Sequence, residues 1–341
     1  MRDRFLIVVM VLFAVLISIA PALAQSTAAG RATTEAGSYR VPRTPDGQPD
    51  LQGYWTNSTY TPLQRPEGIT RDFFTREEAI EIMKKAAAAE SEQTTPGTIA
   101  DVHYDFTQFG LDRNQGGVPL NLRTSLIFDP PDGRLPPVTA EGKTRAAERA
   151  AARKRLGGPW DAAQNQSFSV RCILMNRAGP PMLPGAYNNY YQIVQAPGYV
   201  MILVEMIHEP RIIPLDGRPH LPGHVQQLTG NPVGRWEGDT LVVESTNFTD
   251  QNPFAEGASE KLRLIERFTR VADDRILYQF TVEDPATWTR PWSAELPMLR
   301  TDGPIFEHAC HEGNYSLVNA LAGARADEKR RAEDAVKKSS Q

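Results

Sequence analysis

The chain has 341 residues and a formal net charge of −4, with 40% hydrophobic, 23% charged and 8% aromatic residues. This composition is typical of a folded protein and excludes an intrinsically disordered one, which would be poor in apolar residues and rich in charge. A mildly acidic chain also gives no reason to expect nucleic acid as a partner, because that interaction requires a basic surface.

The N-terminus predicts export. Arg2 and Arg4 precede an apolar run over residues 5–20, and Ala-Leu-Ala at 22–24 supplies the small residues of a cleavage site. We therefore interpret residues 1–24 as a secretory signal peptide, and expect a periplasmic or secreted protein with no stable membrane insertion after cleavage. A single membrane anchor is the alternative, but this run is shorter than the roughly 20 residues that span a bilayer.

The chain has two cysteines, Cys172 and Cys310. In an oxidising compartment such a pair favours a disulfide over two buried free thiols. A catalytic thiol is disfavoured, because no residue nearby marks an activated nucleophile.

The mature chain is predicted to contain a leader, one domain and a tail. Residues 25–50 are small, polar and rich in turn residues, and they predict a flexible leader. Residues 51–320 predict a single β-rich domain, with a partly helical segment over 51–170 and a β meander over 190–310. Residues 321–341 are interpreted as a polar tail.

A few peripheral helices accompany the meander. Thr75 and Glu78 have the spacing of a capping box and precede apolar residues at helical spacing. The charged, Ala-rich segment 141–156 predicts a surface helix, which a Gly-Gly-Pro sequence ends. A helical or fraying segment is expected over 317–337.

From Tyr190 onward the hydrophobic pattern takes the period of two that is typical of strands. Turn residues but no helices separate the segments, which predicts an antiparallel meander that forms a lipocalin-like barrel or a sandwich. The expected strands are 190–195, 199–206, 211–215, 240–248, 262–271, 276–283, 292–299 and 305–310, with a short strand before them at 125–128.

Strand alternation places a glutamate among mostly apolar neighbours on three of these strands. These glutamates are Glu205, Glu244 and Glu266. Glu205 shares its predicted face with Met201 and Leu203, Glu244 shares its face with Val242, and Glu266 shares its face with Leu264 and Phe268. An ionised carboxylate is costly to bury alone, so each is expected to be paired, protonated or turned toward a polar cavity.

Two interpretations of these glutamates remain open. A carboxyl group in a polar cavity works as a general acid or base. Alternatively, Arg211, Arg263 or Arg267 neutralises each glutamate in a structural ion pair.

Five of the six histidines lie in two short windows, one with His208, His220 and His224 and the other with His308 and His311. Pro, Gly or a strand end interrupts each window, so we expect no metal site and interpret the histidines as loop residues or proton-transfer groups. His208, near Glu205, and His311, beside Glu312, are the candidate partners of a carboxylate.

Binding residues are expected where aromatic rings and amides begin a strand, since they can stack a flat ligand and fix its polar edge. The same residues are compatible with core tyrosines and turn amides. Arg211, Arg267 and Asn188 would orient an anionic or carbonyl group. The substrate-binding candidates are Tyr187, Asn188, Tyr190, Arg211, Arg267 and Trp236.

Several longer motifs resemble those of a widespread, uncharacterised family of exported bacterial proteins. They include WEGDTLVVE at 236–244 and ACHEGNY at 309–315, together with residues 50–55, 205–208 and 266–268. The resemblance spans nearly the whole mature chain, and it implies export but no particular reaction, cofactor or catalytic residue. The Gly-Tyr-Trp triplet at 53–55 also resembles the Gly-x-Trp of the first lipocalin strand.

These observations predict an exported periplasmic enzyme that acts by acid/base chemistry, as a lyase, isomerase or hydrolase. Its expected substrate is a small, partly apolar molecule, and aromatic molecules belong to this class. No dinucleotide loop, phosphate loop or Gly-x-Ser-x-Gly motif is present, so we expect no cofactor. The alternatives are a non-catalytic, lipocalin-like carrier of a hydrophobic ligand and an envelope structural protein. The candidate acids and bases are Glu205, His208, Glu244, Glu266, His311 and Glu312.

Overall fold

A computed structural model gives the fold of the chain and describes residues 39–90, 121–175, 177–185, 187–252, 254 and 257–339. The predicted signal peptide lies outside the described residues, as does most of the predicted leader. From Val41 onward, the chain belongs to one structural unit.

The described chain is mainly β, as predicted, and its strands form one antiparallel sheet of ten strands. The order across the sheet is β5-β4-β3-β1-β10-β9-β8-β7-β6, with β2 paired beside β10. Two meanders, β3 to β5 and β6 to β10, are therefore joined through β1, which pairs with both β3 and β10. The strands are β1 (Gly53–Thr56), β2 (Ile127–Asp129), β3 (Tyr190–Ala196), β4 (Tyr199–Val204), β5 (Pro210–Pro214), β6 (Asn231–Glu237), β7 (Thr240–Thr246), β8 (Arg263–Ala272), β9 (Arg275–Glu283) and β10 (Trp292–Thr301).

Two expectations about strands are wrong. Residues 305–310 form no strand, and β10, the strand that precedes them, pairs with β9 on one side and with β1 and β2 on the other. Strand β6 was not predicted, because Pro232 and Gly234 interrupt its pattern. A proline is tolerated there because β6 is an edge strand, where a missing N–H breaks no ladder on its open side.

Three α-helices are described: α1 (Arg76–Glu90), α2 (Ala140–Arg155) and α3 (Tyr315–Ser339). The capping box forms before α1, where the Thr75 N–H donates to Glu78 Oε2 at 2.8 Å and the Glu78 N–H donates to Thr75 Oγ1 at 3.2 Å. Helix α3 buries none of its residues. Within the described part of the chain, every helix is too short or too polar to cross a membrane.

The core lies against the inner face of the curled sheet. Strand β8 alternates buried and half-buried residues along its length. Phe268, Tyr278, Phe280 and Trp292 form a row of aromatic rings on this face, with centroids 4.9 to 5.7 Å apart. The sheet must curl, because the side chain of Arg211 on β5 reaches the middle of β8, six places away in the strand order.

The two edges of the curled sheet approach each other without forming a ladder. In the described chain, β5 pairs only with β4, and β6 pairs only with β7. A Cβ atom at Gly234 of β6 would lie 2.7 Å from side-chain atoms of both Ile213 and Leu215, so glycine alone permits this approach. The sheet is not closed by hydrogen bonds, and a barrel is therefore not confirmed.

Residues 41–50 pack against one end of the sheet. Val41 is buried, and Arg43 is bridged to Pro49 across a turn. The Leu51 N–H donates to Gln195 Oε1 at 2.7 Å, which fixes this turn beside the β3–β4 hairpin. Regular packing therefore begins before the predicted end of the leader.

Candidate functional site

Glu266 lies in the centre of the core and is fully paired. The guanidinium of Arg211 donates to both of its carboxylate oxygens, with Nη1 3.1 Å from Oε1. The Tyr278 hydroxyl donates to Oε1 at 2.7 Å and accepts the N–H of Met182 at 3.0 Å. Neither Glu266 nor Tyr278 exposes any surface. Strand alternation correctly predicted that Glu266 points inward, and the ion pair with Arg211 is the structural alternative that the sequence left open.

The charges of this network reinforce one another. Burial raises the pKa of the Tyr278 hydroxyl well above its usual value, and the negative charge of Glu266 adds to this, so Tyr278 remains a donor. Burial disfavours the charged form of Arg211, but the charge and hydrogen bonds of Glu266 outweigh burial and raise the pKa of Arg211. Arg211 therefore has no freedom to orient a substrate, which corrects its predicted binding role.

Glu244 lies on the outer face of β7. Leu241 and Val243 alternate with it and join the core, so its predicted inward orientation is wrong. Its Oε2 accepts from Arg263 Nη2 at 2.6 Å, and Oε1 lies 3.4 Å from His220 Nε2. The hydrogen bond and charge of Arg263 lower the pKa of Glu244, so this carboxylate remains ionised and paired.

Glu205 is buried by a turn rather than by strand alternation. The buried residues of β4 are Val200, Ile202 and Val204, so the predicted inner face with Met201 and Leu203 is wrong. After Val204 the chain enters a tight turn, in which the Glu205 N–H donates to Tyr190 O at 3.0 Å.

The backbone of this turn is strained. Ile207 has φ 64° and His208 has φ 45°, in the left-handed region that β-branched and bulky residues avoid. Asn188, which precedes β3 at the same end of the sheet, has φ 54°. Strained residues of this kind concentrate at functional sites, where the surrounding structure holds them in place.

The carboxyl group of Glu205 is only partly satisfied. The residue is 2% exposed, its Oε1 accepts the Phe306 N–H at 3.2 Å, and the Asn188 side chain lies near the carboxyl group and favours its ionised form. Oε2 is buried and has no hydrogen-bond partner among the described residues. Burial raises the pKa of Glu205, although the Phe306 N–H and the nearby Asn188 amide oppose this shift.

Other titratable groups with shifted pKa values lie on the turn after β4, at the start of β3 and on the segment that contains Phe306. Nδ1 of His308 is buried and lacks a partner within the described ranges. Burial lowers the pKa of His308, and the positive charge of His208 adds a smaller effect in the same direction. Burial raises the pKa of Glu209, which the charges of His208 and Arg211 oppose. Burial also raises the pKa of Tyr190, and the charge of Glu205 contributes to it.

The segment that covers Glu205 is held by a disulfide. Cys172 and Cys310 are bonded, with their Cα atoms 5.7 Å apart across a sequence separation of 138. The Asn314 side chain donates to Val170 O at 2.9 Å and adds a second link between the same two segments. Phe306 and His308 precede Cys310 on the covering segment, so the predicted disulfide is present and contributes to the position of both.

The structure thus brings together some of the predicted site residues and separates others. Glu205, His208, Asn188 and Tyr190 share one end of β3 and β4, with Tyr187 next to them along the chain. The others lie elsewhere: Glu266 and Arg211 in the core, Glu244 and Arg267 on the outer face, Trp236 at the opposite end of the sheet, and His311 and Glu312 exposed beyond Cys310.

Two groups of this neighbourhood were missed as site residues. His308 lies in the second histidine window, but strand alternation cannot distinguish it from His311 because the segment is not a strand. Glu209 directly follows His208, and its burial depends on the turn, which the sequence pattern did not reveal.

Among the described residues, no group of three or more His, Cys, Asp or Glu side chains is arranged to hold a metal ion. The chain matches no protein-family model, and comparison with curated proteins and with solved structures finds no match. The interpretation of the site therefore depends on its own geometry.

Proposed function

We propose that the protein is an exported enzyme in which Glu205 and His308 transfer protons to and from a small, partly apolar substrate without a cofactor. Two observations carry this proposal: Glu205 Oε2 and His308 Nδ1 are buried atoms without a hydrogen-bond partner among the described residues, and Phe306, two residues before His308, donates its N–H to Glu205 Oε1. Buried polar atoms are rarely left unpaired in folded proteins, and a catalytic role is one reason for which they are retained.

The protonation states of the two groups support opposite roles. The raised pKa of Glu205 favours a protonated carboxyl, which can donate its proton from Oε2. The lowered pKa of His308 favours a neutral imidazole, which can accept a proton at Nδ1. A protonated carboxyl group and a neutral imidazole supply a proton donor and a proton acceptor, the two roles that general acid/base catalysis requires. Asn188 would orient a carbonyl or anionic group of the substrate.

Access to Glu205 depends on the segment that covers it. The Phe306 N–H is bonded to Oε1, and Phe306 itself is 51% exposed, so a thin layer of chain separates the carboxyl group from solvent. Residues 302–310 have no regular secondary structure. We infer that a substrate reaches Oε2 when this segment moves, and that the exposed ring of Phe306 then contacts its apolar part.

The wider assignment belongs to the same proposal. The proposal of export is based on residues 1–24, which have the pattern of a signal peptide. The disulfide agrees with it, because such bonds persist in oxidising compartments. A lipocalin-like barrel is supported by the curl of the sheet and by the buried Trp55 of the first strand. The motifs WEGDTLVVE and ACHEGNY support membership of the exported bacterial family that they resemble.

Isotope exchange and turnover test the proton transfer. The mature protein is incubated in D₂O with a panel of small carbonyl, ester and hydroxy compounds, and conversion or deuterium incorporation is followed by NMR. We expect the protein to act on at least one compound. Glu205→Gln and His308→Gln should each slow that reaction by about 10²- to 10⁴-fold, the usual effect of removing a general acid or base.

Glu283→Gln is the matched control, because Glu283 is ion-paired with Arg263 on the outer face. This variant should retain the full rate. Equal rates for the parent protein, Glu205→Gln and His308→Gln would show that the two groups do not transfer the proton. Retention of a compound that is recovered unchanged, with no exchange, would support the carrier instead.

A further inference from the structure

A cavity of about 180 Å³ lies at the end of the sheet opposite Glu205. Its lining includes Asp46, Gln48, Gln195, Tyr199, Leu215 and Trp236. Strand β3 runs from the Glu205 end to this cavity, and its residues span about 20 Å at the usual rise per residue. The cavity is therefore separate from the proposed catalytic site.

The cavity is large enough for a small organic molecule. One water molecule needs only roughly 10–15 Å³ to be accommodated, so this cavity is many times larger than a single-water site. The size excludes a long lipid and favours a single ring with its substituents.

Several polar groups of the lining are free to bind a ligand. Oδ1 of Asp46 accepts the Thr44 hydroxyl at 2.6 Å, which leaves its second oxygen for another donor. The side-chain amide of Gln48 has no hydrogen-bond partner among the described residues, and it can both donate and accept. The Tyr199 hydroxyl accepts from Arg218 at 3.0 Å and keeps its own hydrogen to donate.

The charge of the lining selects against anions. Asp46 contributes a negative charge, and none of the residues that line the cavity is cationic. The nearby Arg218 is already bonded to both oxygens of Asp216. A purely apolar ligand would leave the Asp46 and Gln48 groups without partners, which is costly. Trp236 also lines the cavity, and an indole ring offers an apolar surface against which C–H groups can pack.

We propose that this cavity binds a neutral, polyhydroxylated molecule of monosaccharide size. Adjacent hydroxyls would donate to Asp46 and Gln48 and accept from Gln48 and Tyr199, while a C–H face packs on Trp236. The ligand must therefore carry several hydrogen-bond donors and acceptors on one small ring. A sugar satisfies this requirement, whereas a hydrocarbon does not.

Ligand-observed NMR tests this binding site. The mature protein is mixed with methyl glucoside, methyl mannoside, methyl galactoside or N-acetylglucosamine, and saturation transfer to each sugar is measured. We expect at least one to bind with a dissociation constant in about the millimolar range. Gln48→Ala should weaken that binding by at least about 10-fold, the ratio that 1.4 kcal/mol represents. Tyr199→Phe should weaken it less, because only one donor is removed.

The controls separate this proposal from a folding defect and from the proposed enzyme. Gln48→Ala removes a side chain with no described hydrogen bond, so its unfolding temperature should equal that of the parent protein. Gln226→Ala changes an exposed glutamine that is bonded to Glu260 elsewhere, and should bind as the parent does. Glu205→Gln should also bind normally, so a failure of the proposed catalysis leaves this result intact.

Two outcomes would overturn the assignment. One is the absence of saturation transfer to every sugar, or equal binding by the parent protein and Gln48→Ala. The other is Gln48-dependent binding of choline or benzoate in place of the sugars, which would show that the cavity selects a charged ligand.

Discussion

Glu205, in the turn after β4, and Glu266, on β8, are both buried glutamates, but their surroundings differ. Glu266 accepts hydrogen bonds on both oxygens from Arg211 and a further one from Tyr278. Glu205 Oε1 accepts the Phe306 N–H, the Asn188 side chain lies near the carboxyl group, and Oε2 has no partner within the described ranges. The core residue is therefore held as a paired anion, whereas the residue in the turn is only partly compensated.

Burial alone therefore does not identify a functional carboxyl group. A buried ion pair that is fully hydrogen-bonded has no remaining capacity to exchange a proton with a substrate. A buried carboxyl group with a free oxygen retains that capacity, and the cost of leaving it unpaired must be offset by the surrounding structure. Substitutions at and around the two glutamates can test this difference.

The largest effect is expected from Arg211→Met. Without the guanidinium, Glu266 is left in the core as an uncompensated charge, and the free energy of unfolding should fall by about 3–5 kcal/mol. Urea unfolding followed by circular dichroism measures this change. The double variant Arg211→Met/Glu266→Met should recover most of the loss, because it removes both charges together. A loss below about 1 kcal/mol in the single variant would contradict the paired-anion description of Glu266.

Removal of the disulfide is expected to lower the overall stability by a smaller amount. Its local effect should be largest in the segment over Glu205. Cys172→Ser/Cys310→Ser should lower the free energy of unfolding by about 2–4 kcal/mol. Because Cys310 anchors the segment over Glu205, amide hydrogen exchange at Phe306 should accelerate more than exchange at Met182, whose N–H is bonded to Tyr278. Equal acceleration at both amides would show that the disulfide does not hold the covering segment.

Tyr278→Phe tests the hydrogen bonds of the core network without changing its charge. The variant removes a donor to Glu266 and the acceptor of the buried Met182 N–H, so unfolding should become easier by about 1–3 kcal/mol. Tyr199→Phe is the matched control, since the Tyr199 hydroxyl is exposed and bonded to Arg218. If both variants have the same unfolding midpoint in urea, Tyr278 does not support Glu266.

The sequence predicted the core glutamate better than the one in the turn, and the reason is periodicity. Strand β8 keeps its alternation over ten residues, so Leu264, Glu266 and Phe268 share one face in the sequence and in the structure. In β7, both Val242 and Val243 are buried, so alternation does not show which face is inward, and Glu244 was placed wrongly.

The site around Glu205 could be predicted only in part. His208 is close to Glu205 along the chain. Asn188 lies just before β3, at the same end of the β3–β4 hairpin. Local sequence patterns can reveal both positions. Phe306 and His308 approach it through a segment without regular structure that is fixed by a disulfide, and no period in the sequence specifies that contact. The strained φ angles of the turn likewise depend on the packing around it.

The smallest effect, and the most direct comparison of the two carboxyl groups, is the pH dependence of Glu205→Gln. Glutamine keeps an acceptor for the Phe306 N–H, so the variant should change the free energy of unfolding at neutral pH by about 1 kcal/mol or less. The pKa of Glu205 is raised by burial above the ordinary value of 4.5, so the folded state binds this proton more tightly than the unfolded state.

The sign of the pH dependence follows from that preference. The stability that Glu205 contributes is fully present below pH 4.5 and is lost as the pH rises through the higher, folded-state pKa. The parent protein should therefore lose stability relative to Glu205→Gln as urea unfolding is repeated from about pH 4 to pH 8. His308, whose pKa is lowered, has the opposite dependence, but it is common to both proteins and cancels to first order in the comparison. A gain of stability with pH, relative to the variant, would mean that the ionised form of Glu205 has a stabilising partner. Glu205 would then resemble Glu266, and its proposed role as an acid would have no basis.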